Sequence, residues 1–165
     1  MKPLAAKNYA MRYGLTVYVD EFREMELSGR VFSPVEGLKN FGGILEMLNH
    51  LENICNQIDY PQNTHRMRSF VTDKKQEQPH PMTLEEARSV EEIEKKENQS
   101  ARGTAATFVV QVRYRQNATW QGSVKWVDTG KSQNFRSTLE LINLMEGALQ
   151  STQDATTKSE WNQEE

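Results

Sequence analysis

Apolar residues in this chain switch from a period of two to a period near 3.6, and the switch occurs twice. First, Leu15, Val17 and Val19 alternate with Thr16, Tyr18 and Asp20, and Met25, Leu27, Gly29 and Val31 alternate with Glu24, Glu26, Ser28 and Arg30. Strict alternation places one set of side chains on each face of a strand, so the two runs predict an antiparallel hairpin. Ser33-Pro34 breaks the pattern. Ile44, Leu45, Met47, Leu48, Leu51, Ile54, Cys55 and Ile58 then fall on one stripe of a helix, which Tyr60-Pro61 ends.

The second instance begins at Thr107. Phe108, Val110, Val112 and Tyr114 alternate with Val109, Gln111, Arg113 and Arg115, and Trp120, Gly122, Val124 and Trp126 alternate with Gln121, Ser123 and Lys125. A Thr129-Gly130 turn follows. Leu139, Leu141, Ile142, Leu144, Met145, Ala148 and Leu149 form the second helical stripe.

The two instances align. An offset of 94 superposes Asn40-Phe41 on Asn134-Phe135, Leu45-Glu46 on Leu139-Glu140, Asn49 on Asn143 and Glu52 on Glu146. An offset of 93 superposes Val17 on Val110, Val19 on Val112, Gly29 on Gly122 and Val31 on Val124. Periodicity alone does not demand shared Asn, Glu and Gly, so the alignment points to one unit used twice. Ser137-x-x-Glu140 reads as a capping box, with Gly43 and Glu46 at the matching positions.

These patterns predict an α+β fold. Two tandem ββα repeats would form a four-stranded antiparallel sheet with two helices on one face. Residues 11–58 would be the first repeat and 107–150 the second. Residues 59–106, rich in Gln, Glu, Lys, Ser and Pro, read as a long flexible linker with a short helix at 84–97 opened by Thr83-x-x-Glu86. Residues 151–165 read as a disordered tail. The predicted inner layer holds Leu15, Val17, Val19, Leu27, Val31, Phe108, Val110, Val112, Trp120, Val124 and Trp126.

The other sheet face would stay open, as antiparallel sheets allow. Its first half presents Thr16, Tyr18, Asp20, Glu24, Glu26, Ser28, Arg30 and Phe32, and its second Gln111, Arg113, Arg115, Gln121, Ser123 and Lys125. From this face the candidate binding residues are Tyr18, Arg30, Phe32, Gln111, Arg113, Arg115 and Lys125. One half is acidic and the other basic, which suits a protein partner or a homodimer made by pairing two such faces. Cross-strand ion pairing is the structural alternative.

Several chemistries find no support. The single Cys55 excludes an internal disulfide and an all-cysteine metal site, and His50, His65 and His80 have no further ligand at metal spacing. No cofactor, metal or catalytic constellation is expected; Phe41-Gly42-Gly43 lacks the spacing and Lys of a phosphate loop. No run approaches 18 apolar residues, so no membrane span is expected, and the location expected is cytoplasmic. Even the most basic segment, 107–150, carries only five basic against three acidic side chains, too few for a duplex-binding footprint. The function expected is a non-enzymatic protein-interaction or adaptor module, self-associating through its sheet face. The alternative is binding of RNA or single-stranded nucleic acid by that face, which requires outward aromatics. His65-Arg66-Met67-Arg68-Ser69-Phe70 is a basic-aromatic cluster that would suit an acidic partner.

Overall fold

A computed structural model describes residues 7, 9–11, 13–35, 37–63, 70 and 102–161, with side chains to 157 in the last stretch. The chain runs through β1 (Leu15–Arg23), β2 (Glu26–Ser33), β3 (Gly37–Phe41) and α1 (Ile44–Gln57), then β4 (Ala106–Tyr114), β5 (Gln121–Trp126), β6 (Lys131–Phe135) and α2 (Thr138–Trp161). The strands form one antiparallel sheet in the order β3-β2-β1-β4-β5-β6, with β1 and β4 at its centre.

This corrects the expected ββα repeats and four-stranded sheet: the order is βββα, and the sheet has six strands. The additional strands, Gly37-Leu38-Lys39-Asn40-Phe41 and Lys131-Ser132-Gln133-Asn134-Phe135, lie at the two edges. Each commits only its final Phe to the core, Phe41 at 3% and Phe135 at 2% exposure. Polar edge strands carry no apolar alternation, because they have little inner face to bury and an edge to protect.

The core lies between the sheet and the helices. Every residue expected in the inner layer is buried except Trp126, which is half-buried against the same cluster. Met47, Leu51, Ile54 and Cys55 supply the buried face of α1. Leu141, Ile142, Met145 and Leu149 do so for α2. Leu45 and Leu139, counted in the two apolar stripes, instead project into solvent at 72% and 70% exposure.

Each helix start is tied differently. Ser137 Oγ accepts from Glu140 N at 3.1 Å, the first half of the expected capping box, while the Glu140 carboxylate accepts from Arg136. At α1 the side chain of Glu26 from β2 takes the Ile44 N–H at 2.7 Å, and Glu46 reaches back to Gly42 N. The negative carboxylates sit where the helix exposes unbonded N–H groups and positive dipole.

The expected helix at 84–97 lies outside the described residues, as do His65, His80 and most of the basic-aromatic cluster. The described ends of the expected linker are bonded to the sheet. Ala105 N donates to Val19 O of β1, and Asn63 forms an isolated bridge with Arg115, the residue after β4. The expected tail is helical as far as Trp161, with the side chains of 151–157 exposed.

The β1–β2 and β4–β5 connections share a feature 93 residues apart. Glu24 and Met25 have φ of 51° and 66°, and Asn117 and Ala118 have 55° and 57°. Two successive positive φ values twist a hairpin in the right sense but favour Asn-Gly. Ala118→Gly relieves a left-handed alanine and completes that dipeptide. It should raise stability by about 1 kcal/mol, read as an increase in the urea midpoint at unchanged slope.

Candidate functional site

The second half of the sheet contains an irregularity that redirects a charge. Val112 pairs with Gly122, but the next pair is Tyr114 with Gln121, so Arg113 is an extra residue in β4. One extra residue reverses the alternation beyond it. Tyr114, expected to face inward, is 58% exposed, and Arg115, expected on the open face, is buried beneath α1 at 3% exposure. The bulge forms opposite a glycine for a steric reason. A Cβ on Gly122 would lie 1.9 Å from the carbonyl oxygen of Gln111. β1 carries the matching bulge at Asp20, opposite Gly29, whose Cβ would lie 1.9 Å from Tyr18 O.

A buried guanidinium requires acceptors, and α1 supplies them. Arg115 Nη1 donates to Glu52 Oε1 at 3.1 Å and to Asn56 Oδ1 at 2.7 Å. Arg115 Nε donates to Pro61 O at 2.6 Å, holding down the chain that leaves the helix. The other Glu52 oxygen accepts from Trp120 Nε1 at 2.9 Å. Both carboxylate oxygens are therefore occupied by donors from the β4–β5 hairpin. Breaking such a pair from one side leaves an uncompensated charge in a poorly polarisable surrounding.

Next to this network lies a half-open cavity of about 190 Å3. Leu45, Leu48 and Glu52 line it from α1, Arg115 and Trp120 from the hairpin, and Thr138 from the start of α2. The lining is mainly apolar. A void of about 150 Å3 suffices for one benzene ring, so this cavity accommodates a branched or aromatic side chain. Its walls are fixed to each other. Thr138 N donates to Thr119 Oγ1 at 3.0 Å, joining the first turn of α2 to the β4–β5 connection.

Cys55 lies beside the network on α1. Burial pushes its thiol up to about 12, with the positive charge of Arg115 pulling the other way. It stays protonated at neutral pH and is a poor nucleophile. Among the described residues no group of three or more His, Cys, Asp or Glu is placed to hold a metal ion, and no helix is long and apolar enough to cross a membrane.

The sequence-predicted face is only partly open. Tyr18 and Phe32, expected to be presented to solvent, are 2% and 3% exposed. Arg30 stacks over the Tyr18 ring at 4.9 Å and makes two bonds of 3.1 Å to Asp20. Thr104 N donates to Asp20 and Gly103 N to Thr107 Oγ1, so the stretch entering β4 covers this part of the sheet. Burial works against ionisation of Asp20, but the bonds from Arg30 and Thr104 outweigh it and hold the carboxyl below its usual value. Gln111 is half-buried, and Arg113 and Lys125 are exposed on the other half. Of the acidic set, Asp20 is paired with Arg30 and Glu26 bonds the start of α1. Trp120 and Trp126 pack on the helix side, as expected. Of the aromatics on the six strands, Tyr114 alone is well exposed.

Sequence reasoning missed Glu52, Asn56, Leu48 and Trp120 as partners of one site. One signal was present. The residue 93 positions before Arg115 is Phe22, so Arg115 occupies a place that is apolar in the first half. The chain matches no protein-family model, no curated protein and no solved structure.

Glu52→Ala should destabilise the protein by about 3–5 kcal/mol, and adding Arg115→Met to that variant should recover much of the loss. Equilibrium urea unfolding of the two variants checks this coupling. The thiol favours the folded state below its ordinary value of 9.0 and withdraws that support as pH rises toward about 12. Wild-type stability should therefore fall more steeply than that of Cys55→Ala above pH 9, by up to about 1.4 kcal/mol per pH unit.

Proposed function

We propose that the protein is a non-enzymatic interaction module whose partner protein inserts an apolar side chain into the cavity between α1 and the β4–β5 connection. The observation that carries this reading is the combination of a concave apolar cavity with a solvent-exposed leucine in its lining. Leu45 lines the cavity at 72% exposure, and Leu139 follows the lining residue Thr138 at 70% exposure. Large apolar side chains left in water beside a preformed hollow are the pattern of an anchor site. The hollow receives one buried side chain, and its surroundings exclude water from the contact.

The rest of the site favours binding over chemistry. Among the described residues, the titratable groups at the cavity are engaged with one another. Arg115 and Glu52 form a bonded pair, and the neighbouring Cys55 thiol is held protonated. An interaction surface needs a rigid wall of this kind, because an ordered pocket loses little conformational freedom on binding.

A random peptide library displayed on phage and selected on the folded full chain tests the reading. Enriched peptides should share one branched or aromatic anchor. Their affinity, measured by fluorescence anisotropy, should fall at least about tenfold on the double variant Leu45→Asp/Leu139→Asp. Both leucines are exposed, so the variant should retain its fold. Failure to enrich any peptide, or equal binding to the double variant, would overturn the proposal.

A further inference from the structure

We infer that Arg115 reads the partner's main chain, donating from Nη2 to a neutral carbonyl oxygen beside the anchoring side chain. This rests on the reading of the cavity as a partner site and adds what the cavity recognises besides bulk.

A guanidinium has five N–H donors across Nε, Nη1 and Nη2. In Arg115 the Nε and Nη1 atoms are bonded to Pro61, Glu52 and Asn56. Nη2 has no acceptor among the described residues, yet the side chain is only 3% exposed and lines the cavity. Nη2 is not one of the enclosed side-chain atoms left without a partner, so water reaches it, and an occupant of the cavity that displaces this water must replace its acceptor. A group entering the cavity with an acceptor would complete the set, whereas a purely apolar occupant would leave the donor without an acceptor.

Charge selects among acceptors. Arg115 is already neutralised by Glu52 at 3.1 Å, and both Glu52 oxygens are bonded. A carboxylate would bring a second negative charge next to Glu52 in a mostly apolar hollow, with no further positive charge among the described residues of its lining. An ammonium group would meet donors. An amide carbonyl supplies the acceptor and no net charge. A polypeptide carries such a carbonyl next to every side chain, and the exposed Leu45 in the lining offers it further apolar contact. The occupant favoured is therefore a peptide segment of a partner protein with one apolar anchor.

The test uses the intact 15N-labelled chain and three probes with one branched body: 4-methylpentanamide, 4-methylpentanoate and 4-methylpentylamine. Binding is read from the Trp120 indole N–H and the Arg115 Nε–H. The amide should bind with a Kd of about a few millimolar, as expected for so small a molecule, and the other two at least about fivefold more weakly. N-acetyl-leucine N-methylamide, which carries peptide carbonyls on both sides of its anchor, should bind at least as well as the amide. Equal binding of all three head groups would overturn the role of Arg115 and leave the cavity as an apolar anchor site. Tightest binding by the carboxylate would replace the carbonyl with an acid. Weaker binding of the leucine derivative than of 4-methylpentanamide would replace the peptide with a small amide. No shift with any probe would overturn the cavity reading itself, and this inference with it.

Discussion

The extra residue in β4 governs the site. With regular pairing through Arg113, the side chain of Arg115 would point to the open face of the sheet, where its charge would be solvated. The bulge turns it under α1 instead. Once there, an arginine cannot stand alone, because removing a charge from water without a partner is far costlier than any single packing gain. That explains why α1, apolar along its sheet-facing stripe, carries Glu52 and Asn56 near its C-terminal half. It also explains why the chain leaving α1 turns its Pro61 carbonyl back to the guanidinium and why Trp120 has its indole N–H on Glu52.

The two halves of the molecule meet the same geometrical problem in different ways. Both central strands bulge by one residue opposite a glycine, and both hairpins turn through two successive positive φ values. In the first half the bulge delivers Phe22 to the interior, 7% exposed and part of the hydrophobic core. In the second half it delivers Arg115. Apolar packing closes the first case, and Gln153 of α2 bonds the Phe22 carbonyl beside it. The charged solution is less complete, since polar bonds are directional and fix spacing that close packing would remove. The cavity and the Arg115 guanidinium lie together in the half that carries the charge.

The parts of the fold that repeat a hydrophobic period were legible in the sequence. β1, β2, β4 and β5 are half-buried strands with strong alternation, and the inner faces of both helices follow the 3.6 period. The edge strands were not, because Lys131-Ser132-Gln133-Asn134 has exposed side chains throughout and offers no pattern to read. Face assignment failed past the bulges. Alternation counted straight through Arg113 places Tyr114 inside and Arg115 outside, and one inserted residue inverts both. Tyr18 and Phe32 failed for another reason. They do face away from the helices, but they are buried there, next to Arg30 and the 102–105 stretch. The site itself was legible only through the mismatch of Arg115 with Phe22 across the two halves.

The most direct test of this account is the exchange behaviour of arginine side chains in the 15N–1H spectrum of the intact protein. The buried, bulge-directed arginine predicts an Nε–H signal that persists at pH 8, when solvated arginines are lost to exchange with water, and that disappears in Arg115→Lys. A spectrum in which every arginine Nε–H is lost together, or in which Arg115→Lys removes no protected signal, would contradict the placement of Arg115 on which the site depends.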